Sequence, residues 1–454
     1  MFDKKVLVAG CGMSGICSTK LLLDKGEKVI LFDENKKNKL TVEKVEENLG
    51  IKADNENFTI LLGQLDETVL AQVSVMIISP GIPADLPFVE NVKKNNIPVW
   101  SEIELAYYYE KGTVVAITGT NGKTTTTSLV GEIMKAHNPS SYVVGNIGIA
   151  YTEQVDKTSE NSVTVAEVSS FQLETIVDFK PHVAAILNVT PDHLDRHYTL
   201  ENYAACKADV SKNQTKEDYI VVNYDDPETM KLVDRLSGRV VLFSRLAELD
   251  EGVFVKEGHI VVREADSLID VLDLADIKIL GNHNVENVLA AVGIAYYMGV
   301  PVEIIQRVCT RFMGVPHRIE YVRTVNGVEY YNDSKGTNPD AAIKGIQAMK
   351  STTYLIGGGF DKKASYTEWI DSFDGKVKKL VLLGQTASEI DKSARARGFV
   401  DTVFVESLED AVKYCHQHAV EGECVLLSPA CASWGMFDNY EQRGDMFKEY
   451  VNKL

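Results

Sequence analysis

Residues 114–127 read VVAITGTNGKTTTT. A lysine followed by threonines at the end of a tight glycine turn suits phosphate chemistry. Lys123 brings charge, Thr124 offers a hydroxyl to Mg²⁺, and N–H groups of the loop and the following helix converge on the anion. The spacing differs from the usual G-x-x-x-x-G-K-[ST] loop, because Ile117 stands where the first glycine belongs. Four consecutive threonines are poor helix formers, so propensity does not explain them at this helix start. Downstream, Glu167 ends a β-type run and can meet Mg²⁺ directly or through water. Asp192, His193 and Asp195 cluster after another such run, as either a capped helix start or a polar active-site edge. A second glycine loop, Gly10, Gly12 and Gly15, follows the first strand pattern, with Asp33 at the end of the next. That spacing predicts a pyrophosphate at a helix N-terminus, a nicotinamide dinucleotide being the obvious candidate, or a tight turn without a ligand.

These residues need strands that end where they begin. KVLVAG, KVILFD and VSVMIISPG read as buried parallel strands in the first hundred residues, with SGICSTKLLLDKG as a helix. TVVAITG opens a second block that runs through SVTVAEVSS, VAAILNVT and YIVVNYD to the helical NHNVENVLAAVGIAYYMG. A third starts near GVPHRIEYV and contains TTYLIGGG, KKLVLLG and ECVLLSPA. Strand–helix alternation predicts an α/β fold of parallel sheets with helices on both faces. The 454 residues exceed one ordinary core, and 45% apolar with 25% charged residues fits a globular protein. A net charge of −18 argues against nucleic acid or anionic membranes as partners. No apolar run approaches the roughly 18 residues of a membrane span. Seven scattered cysteines suit a reducing cytoplasm, and the chain is expected to stay there as a monomer.

Five segments, AITGTNGKTTT, EVSSFQLE, NVTPDHLDRH, GNHNVENVLAA and PHRIEYV, resemble the Mur ligases of bacterial cell-wall synthesis in kind and order. Folylpolyglutamate synthases are relatives of that family, and in it the short G-T-N-G-K-T loop is the normal phosphate loop. YYNDSKGTNPDA and LLSPACASWGMFDNYEQRGDMF resemble its D-glutamate-adding branch. The resemblance implies three α/β domains: a Rossmann-like domain over 1–102, a central P-loop mononucleotide-binding domain over 103–314, and a Rossmann-like C-terminal domain over 315–454. It implies ATP-driven amide formation between UDP-N-acetylmuramoyl-L-alanine and D-glutamate through an acyl phosphate, with two Mg²⁺ and no covalent enzyme intermediate.

Carried over by resemblance, Gly119, Thr120, Asn121, Gly122, Lys123, Thr124 and Thr125 hold the ATP phosphates. Asn284, Asn287, Arg318, Asp333 and Lys335 complete the nucleotide contacts. Thr124, Glu167 and His193 serve Mg²⁺, together with Lys207 carrying a carbamate. Read alone, Lys207 is a helix-surface lysine, Arg318 a surface arginine and Asp333 a helix cap. Gly12, Met13, Ser14, Asp33, Ser79, Pro80, Gly81 and Asn146 are expected to bind the UDP-substrate. Thr337, Lys362, Ser433 and Tyr440 are expected to bind D-glutamate; Lys363 competes with Lys362, and Tyr440 could instead serve packing. Lys123, His193 and Lys207 carry the catalytic expectation.

Overall fold

The computed structural model describes residues 2–35, 42–50, 52, 56–146, 148–361 and 364–454. Among these, the strands form sheets of five, nine and six strands. The first sheet runs in spatial order Phe58–Leu62, Val29–Asp33, Lys5–Ala9, Val73–Ile78, Val99–Ser101, and all pairs are parallel. Its inner strands, VLVA and VMII, are apolar without alternation because helices cover both faces. Strand order reverses between Lys5–Ala9 and Val73–Ile78, so the loops after them open a crevice at their carboxyl ends. Gly15 is dictated there: a Cβ would stand 1.8 Å from the Gly10 carbonyl oxygen.

The central sheet places Thr113–Thr118 between Val183–Ile186 and Val163–Glu167, with Ser141–Gly145 at one edge. The helix Lys123–His137 follows the central strand. All four threonines at its start are buried, so packing outweighs their weak helix propensity. Thr126 Oγ1 donates to Asn287 Oδ1 at 3.3 Å.

Parallel alternation does not hold throughout. Gly252–Lys256, His259–Glu264 and Ser267–Asp273 form an antiparallel meander at the far edge of the central sheet. Glu320–Val325 and Val328–Asn332 form an antiparallel hairpin in the third. Two-residue turns close them: Glu257–Gly258 and Asn326–Gly327 all have positive φ, the hairpin geometry that Asn-Gly favours. The rest of the third sheet is parallel, with Cys424–Leu427 between Val328–Asn332 and Thr353–Gly357.

By contacts the chain divides into two compact units, residues 1–274 with 286–309, and 275–285 with 310–454. The first holds the first two sheets, the second holds the third. No helix among the described residues is long and apolar enough to cross a membrane.

Candidate active site

In the first unit, the crevice of the first sheet is a cavity of about 750 Å³. Gly12, Met13, Ser14, Asp33, Ser79, Pro80, Gly81 and Asn146 all line it. The glycine-loop turn is held to the second strand, since Cys11 N–H donates to Asp33 Oδ2 at 3.3 Å. Phe32 and Phe88, packed edge to face at 5.3 Å, add an apolar wall that the motifs did not predict. Their signal, an aromatic in a strand and one opening a helix, is indistinguishable from ordinary core.

The loop 119–122 lies at the carboxyl end of the central strand. Gly122 adopts φ +83°, and a Cβ there would come within 2.2 Å of Asn287 Oδ1. Asn121 is pinned from both sides by Asn188, whose Oδ1 accepts from its N–H at 2.8 Å and whose Nδ2 donates to its carbonyl at 3.1 Å. Thr120 Oγ1 donates to the Thr190 carbonyl (3.2 Å) and lies within hydrogen-bond distance of Tyr203 Oη (3.3 Å). Lys123 folds back over the loop, its Nζ donating to the carbonyls of Gly119 (2.8 Å) and Thr120 (3.0 Å). The helix that starts there has neither a side-chain cap nor an acidic residue in its first turn, which leaves its N–H dipoles to an anion.

Glu167 is buried at the end of the adjacent strand. Its Oε1 accepts from Asn146 Nδ2 at 2.9 Å, while Oε2 has no hydrogen-bond partner among the described residues. Asn146 therefore joins the lining of the first cavity to the carboxylate beside the nucleotide loop. A buried, unpartnered carboxylate oxygen fits a cation. No group of three or more His, Cys, Asp or Glu among the described residues forms a cage. This donor set suits Mg²⁺, which takes one or two protein oxygens and fills its shell with phosphate and water.

His193 stands at the N-cap of the turn Leu194–His197 without a side-chain capping bond, while its N–H donates to Asp192 Oδ1 at 2.9 Å. Its φ is +52°, uncommon for a side-chain-bearing residue, and its half-exposed ring packs edge to face on Phe171 at 4.9 Å.

Lys207 overturns its surface reading. The residue is 1% exposed on the helix Leu200–Ala208, because its stem turns inward beneath the phosphate loop. Its Nζ donates to the Gly119 carbonyl at 3.0 Å and lies 4.3 Å over the Tyr203 ring. Burial, helped by the nearby Lys123 charge, pulls its ammonium down to about 7.

In the second unit, Asp333 is no helix cap. Asn338 caps the helix Pro339–Ala348, and Asp333 is buried, accepting from Ser428 Oγ at 2.7 Å and Ile319 N–H at 3.3 Å. Burial pushes its carboxyl up to about 7 against the pull of Ser428 and Arg318. Arg318 is exposed, as a surface arginine would be, and its charge acts on Asp333. Lys335 Nζ lies 5.2 Å over the Tyr440 ring, which also packs edge to face on His317 at 6.0 Å. Asn284 is buried, with Nδ2 donating to the Leu280 carbonyl at 2.6 Å. Ser433 is buried and Thr337 half-buried. Lys362 and Lys363 lie outside the described residues.

One residue of the segment LLSPACASWGMFDNYEQRGDMF that carried no site expectation ties this region together. Arg443 is 2% exposed; its Nε and Nη2 donate to Ser334 Oγ and O (2.9 and 2.8 Å), and Nη1 to the Cys431 carbonyl (3.1 Å). It thereby clips loop 333–337 to loop 428–433. Burial raises the Cys431 thiol above its ordinary value.

A glycine loop over one parallel sheet, an uncapped phosphate loop over a second sheet, and a third largely parallel sheet define an α/β protein with two anion-binding loops. The chain belongs to the Mur ligase family. It matches the MurD-like N-terminal domain over residues 4–101, the Mur ligase middle domain over 117–295 and the Mur ligase glutamate ligase domain over 317–431. Within that family it is 51% identical to the UDP-N-acetylmuramoylalanine–D-glutamate ligase of Lachnoclostridium phytofermentans, over 99% of this chain and 98% of the relative. It is 50% identical to the enzyme of the same name from Lachnospira eligens, over 100% and 99%. The fold is shared with the UDP-N-acetylmuramate-alanine ligase MurC of Thermotoga maritima at TM-score 0.59, 19% identity and 99% coverage of both chains.

Proposed function

We propose that the chain joins D-glutamate to UDP-N-acetylmuramoyl-L-alanine at the expense of ATP, as a monomeric cytoplasmic enzyme. The observation that carries this is the link through Asn146: it lines the first cavity and its amide holds Glu167 beside the nucleotide loop. A UDP-substrate bound by the glycine loop thus leads its carboxylate toward the site where a γ-phosphate would lie.

A carboxylate resists amine attack, so it is first made an acyl phosphate: its oxygen forms a bond to the γ-phosphorus and ADP leaves. The D-glutamate amine then attacks the carbonyl carbon, phosphate departs with that oxygen, and the amine loses a proton. Lys123 and the uncapped helix N-terminus hold the phosphates while charge accumulates. Glu167, Thr124 and His193 are the residues to hold Mg²⁺, which when bound neutralises the phosphate charge. Lys207, neutral for much of the time near pH 7, is ready to add CO₂ with loss of a proton, turning an amine into an anionic carbamate. In the second unit, Asp333, Arg318, Lys335 and Asn284 would meet the nucleotide. Thr337, Ser433, Tyr440 and Lys362 would meet the two carboxylates of D-glutamate, which call for cationic and hydroxyl donors.

The test is isotopic. UDP-N-acetylmuramoyl-L-alanine labelled with ¹⁸O in its carboxylate is expected to pass one label to the released phosphate when D-glutamate is ligated. Unlabelled phosphate would refute the acyl-phosphate route. Lys207→Ala is expected to lose activity and to regain part of it with acetate, and absence of rescue would remove the carbamate.

A further inference from the structure

Arg196 has no role assigned above, yet it bonds to the loop that walls the first cavity and stands in the short turn that begins at His193. Its side chain is 12% exposed and lies 4.4 Å over the Phe171 ring. Nε and Nη2 form a fork on Glu174 at 3.1 and 2.6 Å. The remaining donors cross to the first domain: Nη1 donates to the Pro80 carbonyl and Nη2 to the Ile82 carbonyl, both at 3.0 Å. Pro80 and Ile82 line the 750 Å³ cavity. Arg196 itself belongs to the short turn Leu194–His197 that begins at His193. Two residues on, Tyr198 donates its hydroxyl to Asp85 Oδ2 at 2.5 Å, a second link to the same loop.

The backbone around it is constrained. His193 and Tyr198 flank the turn at φ +52° and +67°, costly for residues with side chains unless the surroundings hold them. The planar guanidinium suits this role, because it can serve a carboxylate and two carbonyls at once from fixed directions. A lysine's single nitrogen cannot reach the carboxylate and both carbonyls from those separated directions.

We propose that Arg196 is a positioning residue that sets the spacing between the loop walling the UDP-substrate cavity and the loop carrying His193. The substrate's carboxylate end then meets the phosphate site in register. The kinetic part of this inference rests on the function proposed above; its structural part does not.

Arg196→Lys keeps the charge but removes the guanidinium that lies over Phe171 and breaks the three-way bridge. In substrate-free protein, hydrogen–deuterium exchange at residues 79–86 and 192–198 is expected to rise about fivefold or more, with the sheet strands unchanged. In turnover, KM for UDP-N-acetylmuramoyl-L-alanine is expected to rise about tenfold and kcat to fall, while KM for ATP stays within about twofold. Tyr198→Phe, which removes only the outer link, should raise exchange at 79–86 alone and keeps the test alive if Arg196→Lys folds poorly. Unchanged exchange in both segments of Arg196→Lys, or an ATP KM that moves as much as that of the muramyl substrate, would overturn the proposal. Failure of the wild type to ligate D-glutamate would instead sink the proposed function, and the exchange experiment would still decide on Arg196.

Discussion

Replacing Lys207 by methionine should stabilise the protein, and by an amount that depends on pH in a fixed direction. The lysine is buried, and its folded-state ammonium sits at about 7 instead of the usual 10.5. A cation whose pKa is depressed on folding costs stability wherever the unfolded chain holds the proton. The cost is fully present below the folded value and fades as pH rises toward the unfolded one. At about 1.4 kcal/mol for each pH unit that separates the two values, it amounts to about 4 kcal/mol at pH 7 and about 2 kcal/mol at pH 9. Methionine keeps much of the apolar stem and removes this cost. It also loses the bond to the Gly119 carbonyl and the contact over Tyr203, which offsets part of the gain at every pH. The slope is therefore the quantity to read. Urea unfolding in CO₂-free buffer should show the advantage of Lys207→Met shrinking by about 2 kcal/mol between pH 7 and 9. It should be followed on the transition of the unit holding residue 207. A pH-independent difference, or one that grows with pH, would refute the burial argument and with it the ready formation of a carbamate.

Glu167→Gln keeps the shape and the bond to Asn146 but loses the negative charge on the unpartnered oxygen. The Mg²⁺ concentration for half-maximal rate should rise at least about tenfold, and kcat/KM should fall about 10²-fold, with the melting temperature unchanged. Gly122→Ala forces a Cβ toward Asn287 Oδ1 at a positive φ, so calorimetry should show ATP binding weakened by about 2 kcal/mol or more. Arg443→Lys loses the fork between loops 333–337 and 428–433. It should destabilise the second unit by about 2–3 kcal/mol and raise KM for D-glutamate more than that for the muramyl substrate, read by denaturation and steady-state kinetics.

The chemistry of the first unit was largely legible in the sequence because it is local. A glycine loop after a strand and a lysine–threonine pair opening a helix declare themselves within a dozen residues. The eight residues expected at the UDP-substrate do line one cavity. Burial was less legible. Nothing within ENYAACKADV distinguishes an inward lysine from a surface one, since what buries Lys207 is the phosphate loop 88 residues away. Asp333 deceived for a similar reason: its partner Ser428 lies 95 residues on, while the true helix cap is Asn338. Arg196 and Arg443 stand within the segments NVTPDHLDRH and LLSPACASWGMFDNYEQRGDMF, but their roles were not legible because several of their partners are distant backbone carbonyls, which no side-chain pattern reveals. The antiparallel meander and hairpin could have been read from turn chemistry, Asn326–Gly327 above all, but strand–helix alternation elsewhere masked it.

The most direct test of the account is phosphate release from ATP with UDP-N-acetylmuramoyl-L-alanine, comparing D-glutamate, L-glutamate and meso-diaminopimelate as the amine. Release that depends on the muramyl nucleotide and is greatest with D-glutamate is the predicted result. Equal or greater release with either of the other amines, or turnover that survives Lys123→Ala, would contradict it.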